Sequence, residues 1–321
     1  MTPNYGKTTF DTQELAQLRA EVSAYIERQG MTKKAFAEEC DIAEGTFGPW
    51  LGGTYAGDNE KPAAKAYRFL NARKEQAEMA AAVPAALTWQ ETMSAKAIMT
   101  VLDHCQVFGD MGVIGTGPGC GKTATIAQFA AVRPRVWVTT MKPSTRGVQN
   151  ALIAMLKAVG DAEAKGTPQA LSERVQKRVG LGAIIIIDEA QHLSLQAVDE
   201  LRSIHDCTNV GLVFSGDESV FELFDGHGKN GYAQFQSRIG IRHRQSRPYP
   251  EDASILARAH GITDAASIKM LSDIAQKPGA LRGVSKTLQN ARRYAAINDV
   301  ALTPSLIREA YAARAAPLAA A

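Results

Sequence analysis

Along the chain the spacing of apolar positions changes character twice. Up to about residue 80 the pattern is helical throughout, and in "MTKKAFAEECDIAEGTFGPWLGG" the residues Ala35, Phe36, Ile42, Phe47, Trp50 and Leu51 fall at spacings that bury one face of two short helices joined by "CDI". "AEMAAAVPAA", rich in alanine and holding Pro84, reads as a linker. From about 88 to 247 short apolar runs alternate with helical stretches: "MGVIG" (111–115), "RVWVTT" (135–140), "AIIIID" (183–188), "VGLVFSG" (210–216) and "RIGIRHR" (238–244). Such alternation predicts a parallel sheet covered by helices, an α/β core. The pattern is helical again to about 314, and the final "AAPLAAA" reads as a frayed tail. Three domains are expected: helical 1–80, α/β 81–247 and helical 248–321.

Composition narrows the class. With 321 residues, 45% hydrophobic and 21% charged, the chain is long enough for several packed domains. No apolar run approaches the roughly 20 residues that span a bilayer, and "MTPNYGKTTFDTQELAQ" lacks the apolar centre of a signal peptide, so the expected location is the cytoplasm, with no membrane partner. Cys40, Cys105, Cys120 and Cys207 stand far apart, without CxxC pairs, and are expected to be reduced thiols.

The net charge of +3 matters less than its distribution. Between Thr123 and Gly160 there is no Asp or Glu, yet Arg133, Arg135, Lys142, Arg146 and Lys157 all lie there. A second acid-free cluster contains Arg238, Arg242, His243, Arg244 and Arg247, whereas residues 1–80 carry a slight acidic excess. Two basic clusters without counter-charges point to a polyanion as partner.

The chemistry concentrates in two stretches. "VIGTGPGCGKTATI" (113–126) leaves a predicted strand and enters a predicted helix, the context of a phosphate-binding loop. In that reading the backbone of Gly117, Pro118, Gly119, Cys120 and Gly121 cradles phosphates at a helix N-terminus, Lys122 reaches the terminal phosphates, and the Thr123 hydroxyl holds Mg²⁺. Thr116 stands where the strict pattern wants its first glycine, with Gly115 and Gly117 flanking it to make the turn. Downstream, "IIIIDEAQHL" is an apolar strand that ends in Asp188 and Glu189. Asp188 suits the magnesium shell, and Glu189 suits the polarising of an attacking water.

"GPGCGKT" followed by "IIIIDEAQHL" resembles the AAA+ ATPases, and "DEAQHL" is close to the form found in their transposition-associated branch. That resemblance implies ATP and Mg²⁺ as cofactors and ATP hydrolysis as the activity. It also implies a sensor 1 residue after "VGLVFSG", either Asp217 or Ser215, an arginine finger at Arg238 in "FQSRIGIRHR", and a sensor 2 arginine at Arg282 in "KPGALRGVSKTL", within a helical lid. The order of a helix-turn-helix module, an AAA+ core and "AQKPGALR" in the lid is similar, across nearly the whole chain, to AAA+ ATPases of the phage Mu transposition protein B type. What this implies is a homo-oligomer, as a helical filament on double-stranded DNA of little sequence preference, which delivers the target to a transposase. A helicase loader and a non-hydrolysing DNA-binding regulator are the alternatives. Lys142 and Arg146, just beyond the second strand, are the candidate DNA contacts. The second helix of the helix-turn-helix opens with Glu44, Thr46 and Phe47, where no arginine stands to meet phosphate, so sequence-specific reading is not expected of it.

Overall fold

The computed structural model describes residues 7–82, 89–224 and 237–315. The chain divides into two compact units, Met1–Pro84 with Ala296–Val300, and Ala85–Ala295 with Ala301–Ala321.

In the N-terminal unit, α1 (Thr12–Gln29) starts on an Asp11–Glu14 capping box and stops at Gly30, whose left-handed backbone ends the helix. Next come α2 (Lys33–Glu39), α3 (Glu44–Leu51) and α4 (Glu60–Ala82). The seven and eight residues of α2 and α3 are too few to stand as isolated helices. An aromatic core holds them: Phe36 stacks on Phe47 at 5.3 Å between centroids and meets Phe69 edge-on at 5.1 Å, with Trp50 fully buried beside them. Phe47 therefore points inward, only 1% exposed, and is withdrawn from any outer contact surface; Glu44 stays exposed.

In the second unit, α5 (Met93–Phe108) precedes β1 (Met111–Thr116), and α6 (Lys122–Val132) leads to β2 (Val136–Thr140). After α7 (Val148–Ala158) and α8 (Pro168–Gln176) comes β3 (Ile184–Asp188), then α9 (Leu195–Thr208), β4 (Gly211–Gly216) and, beyond the undescribed 225–236, β5 (Ile239–Gln245). The five strands form one parallel sheet in the order β2-β3-β4-β1-β5. Every residue of β3 is buried because both faces are covered. Successive side chains alternate between them: Ile184 and Ile186 join Ile98, Leu102, Ile126 and Phe129 on one face, while Ile185 and Ile187 join Leu152, Leu201 and Phe214 on the other.

The helices α10 (Pro250–Ala259), α11 (Ala265–Ala275), α12 (Ala280–Asn298) and α13 (Pro304–Ala315) follow. They carry their own apolar cluster, with Leu271, Ile274, Val284, Leu288 and Ile307 at its centre. A buried polar junction ties α10 to the sheet. The fully buried Asp252 carboxylate accepts from the backbone N–H of Tyr249 at 3.0 Å and of Ser94 at 3.2 Å, and from the Ser94 hydroxyl, so that one side chain caps α10 and braces the start of α5. Gln245, the last residue of β5, donates to the same hydroxyl at 2.6 Å. No helix among the described residues is long and apolar enough to cross a membrane.

Candidate nucleotide site

All five strands run the same way, so their C-terminal ends share one edge, the place where open α/β sheets bind ligands. The loop from Gly117 to Gly121 leaves β1 at this edge. Thr116 is still strand, paired in register with Gln245, so its position asks nothing of glycine. Gly117 carries that demand: its N–H donates to the Gln245 carbonyl at 2.8 Å, and a Cβ there would lie 2.1 Å from the Ser246 carbonyl oxygen. At Gly119 the backbone is left-handed (φ 89°), and a Cβ would meet the Gly279 carbonyl at 2.3 Å. Gly121, also left-handed, opens α6 without any side-chain cap, leaving the first N–H groups of that helix for an anion. Between them Cys120 is buried, and burial pushes its thiol up to about 11.

Strand β3, next but one, delivers the carboxylates. Asp188 is 2% exposed and is surrounded by three partners: the Thr123 hydroxyl donates to it at 3.1 Å, the Ser215 hydroxyl donates at 3.2 Å, and Lys122 Nζ stands 3.7 Å away. Lys122 is also 3.8 Å from Glu189 Oε1. Glu189 has left-handed backbone (φ 54°), which turns the chain out of the sheet into the 3-10 turn Ala190–His192. Its other oxygen accepts from Gln191 Nε2 at 2.7 Å. Among the described residues no group of three or more His, Cys, Asp or Glu could hold a metal ion. Thr123 and Asp188 supply two oxygen donors side by side, which suits an ion completed by phosphate oxygens and water, the habit of Mg²⁺.

The remaining candidates scatter instructively. Asp217 lies just past β4 with its carboxylate turned onto Ser219, accepting from that residue's N–H at 2.9 Å, whereas Ser215 on the same strand reaches Asp188. Arg282 is exposed in the first turn of α12, the helix whose Gly279–Ala280 entry abuts Gly119. Lys142 and Arg146 are exposed at the same sheet edge as the loop: Met141 N–H donates to the Asp188 carbonyl at 2.9 Å, and the Arg146 carbonyl accepts from Ser194 N–H at 2.8 Å.

Arg238 is elsewhere. It precedes β5, whose first residue pairs with Met111 at the start of β1, so it sits at the opposite edge of the sheet from the loop. Six residues of β1 separate the two edges, about 20 Å at strand spacing. Its Nε donates to Asp206 on α9 at 2.8 Å, and Asp206 also pairs with Arg202. Sequence reasoning overlooked Gln191, Gly216, Gln245 and the Ser94–Asp252 junction. Only Gln191 had a local signal, its place two residues after Glu189.

Parts of the chain match known families and proteins. Residues 110–224 match the family described as "AAA domain", and residues 237–313 match "Mu B transposition protein, C terminal". The ATP-dependent target DNA activator B of Escherichia phage Mu is 28% identical over 299 residues, covering 92% of this chain and 95% of its own. The Mu-like prophage FluMu DNA transposition protein B of Haemophilus influenzae is 26% identical, covering 80% of this chain and 90% of its own. Among solved structures, the Aeropyrum pernix ORC2 protein aligns over 68% of this chain and 66% of its own, at 17% identity and a TM-score of 0.44. Over most of its length the chain is thus similar to the Mu B transposition proteins, with the match to the AAA domain at residues 110–224.

Proposed function

We propose that this protein is an ATP-dependent target-DNA activator of transposition: it binds ATP and Mg²⁺, assembles into an oligomer, as a helical filament, on double-stranded DNA, hydrolyses ATP, and presents the DNA to a transposase in the bacterial cytoplasm. The observation that carries this reading is the separation of Arg238 from the phosphate loop of its own chain by the height of the sheet. An arginine so placed serves a neighbouring subunit's nucleotide, which gives assembly a chemical purpose.

In this reading Gly117–Thr123 hold the phosphates and Arg282 approaches them from the lid. Thr123 and Asp188 hold Mg²⁺, which supplies charge neutralisation at the phosphates when bound. Glu189 takes the proton of the water whose oxygen bonds to the γ-phosphorus as the bond from that phosphorus to the leaving ADP breaks. Of the two sensor 1 candidates, Ser215 is the one whose hydroxyl reaches Asp188; Asp217 shapes the turn that follows. Residues 1–80 act as an accessory helix-turn-helix, 81–247 as the ATPase core and 248–321 as the lid and tail. Lys142 and Arg146 contact DNA phosphates along the inner surface of the filament.

Negative-stain microscopy with linear duplex DNA tests the proposal. Filaments on DNA with ATP and none with ADP are expected. Closed rings irrespective of DNA would point to a loader, and filaments without any DNA-stimulated phosphate release would leave a non-hydrolysing regulator.

A further inference from the structure

We propose that Gln191 is a positioning residue for Glu189, and that Gly216 at the end of β4 is the seat that puts it there. The inference rests on the reading of Glu189 as the group that polarises water.

A carboxylate that must meet one water molecule in one direction has to be held by something, and strand β3 does not hold Glu189. The left-handed backbone at Glu189, a conformation that disfavours side chains beyond glycine, swings the residue out of the sheet, and its side chain is 40% exposed. The 3-10 turn that follows brings Gln191 back over it, so that Gln191 Nε2 donates to Glu189 Oε2 at 2.7 Å. Glu189 Oε1 is 3.8 Å from Lys122 Nζ, too long for a hydrogen bond. The two oxygens are thus differentiated: Oε2 is fixed by a neutral amide, and Oε1 is left to take a proton.

The other end of the amide shows that this placement is built rather than incidental. Gln191 Oε1 is buried and has no hydrogen-bond partner, a rare state for a buried carbonyl oxygen. It lies directly over Gly216, where a Cβ would come within 2.3 Å of it. Gly216 does not have the left-handed backbone that would by itself demand glycine. The space above Gly216 is what admits Gln191. Since Gly216 ends the strand that carries Ser215, the contact also couples the Asp188 side of the site to the Glu189 side through one strand end.

The test is steady-state ATP hydrolysis by the full chain at saturating DNA. Gln191→Met keeps the length and bulk of the side chain but removes the donor. Its kcat should fall about tenfold or more with KM for ATP within about twofold, because orientation is lost and ground-state binding is not. Gly216→Ala, which drives Gln191 off its seat, should show the same split. The double variant Gly216→Ala with Gln191→Ala, where the 2.3 Å clash with the amide is gone and only Val220 at 3.1 Å has to give, should lose far less than the product of the two single losses. Parental kcat in Gln191→Met, or fully multiplicative losses in the double variant, would overturn the proposal. Glu189→Gln separates the two layers: if it keeps turnover, the reading of Glu189 itself is lost, whereas if it abolishes turnover and Gln191→Met does not, only the role of Gln191 falls.

Discussion

At the C-terminal edge of the sheet, Lys122, Thr123 and Ser215 all reach Asp188, which like Ser215 is buried, so the loop after β1 and the ends of β3 and β4 meet in one cluster. At the N-terminal edge, Arg238 lies about a third exposed, held by the Asp206 carboxylate that it shares with Arg202. Both edges belong to the same five strands, yet one gathers cation, hydroxyls and carboxylate at the phosphate loop and the other carries a partly exposed ion pair. On the proposed reading, such a protomer would hold a complete binding site and an incomplete catalytic one. The Coulombic gain of a partly exposed pair such as Arg238–Asp206 is small, so giving it up for a neighbour's phosphates is not prohibitive.

The most damaging change should be Lys122→Ala, which removes the cation that faces both Asp188 and Glu189 and leaves two carboxylates to repel the phosphates. Loss of ATP binding and of ATP-dependent DNA binding is expected, read by equilibrium titration with a fluorescent nucleotide; normal affinity would dismantle the phosphate edge of the comparison.

Arg238→Ala comes next. Nucleotide affinity should persist while turnover drops by roughly 10³- to 10⁵-fold, the range for arginine fingers. Mixing this variant with Lys122→Ala should restore some hydrolysis, since one supplies an intact pocket and the other an intact finger. If the two co-assemble and no activity returns, the two edges do not meet between subunits.

A smaller, graded effect is expected at the exposed loop beyond β2. Lys142→Ala with Arg146→Ala should weaken DNA binding equally on unrelated duplexes, and each phosphate that is no longer neutralised should lower the slope of log affinity against log salt by about 0.9. Removal of residues 1–80, with their slight acidic excess, should do less. A salt titration with ATP present that shows the reverse order would move the DNA anchor to the helix-turn-helix.

The mildest probe uses the cysteines. Cys120 is buried in the phosphate loop with its thiol pushed up to about 11, while Cys207 is exposed near the end of α9, beside Asp206. A raised thiol value means that the neutral form persists at pH 8 and the reactive thiolate appears only as pH climbs toward 11. Iodoacetamide at pH 8, followed by peptide mass spectrometry, should therefore modify Cys207 well before Cys120, and labelling of Cys120 should rise with pH. Equal rates at pH 8 would mean that the loop opens freely.

The three inner strands could be located from the chain alone because buried parallel strands are written as apolar runs, "AIIIID" most plainly, whereas the edge strands β2 and β5 are half-buried and rest on weaker patterns. The loop was legible for a similar reason: glycines, Lys and Thr between a strand and a helix state their chemistry locally. The buried face of the short N-terminal helices was legible too, since the spacing that joins Phe36, Phe47 and Trp50 is the one the aromatic core uses. Asp217 and Ser215 are two residues apart on a strand end, and only the tertiary structure shows which hydroxyl or carboxylate faces Asp188.

What the sequence determined by itself is whatever depends on near neighbours: element type, from the period of burial, and the phosphate loop, from backbone freedom at successive positions. What only the tertiary structure decided depends on residues far apart in the chain. Gly117 rather than Thr116 bears the steric demand because Ser246 passes over it, the Gln191 amide finds its place over Gly216, and Arg238 lies across the sheet from its own phosphate loop because β5 runs parallel to β1. Parallel strands place like ends together whatever their separation along the chain, and no local pattern of residues records which side chains will meet there.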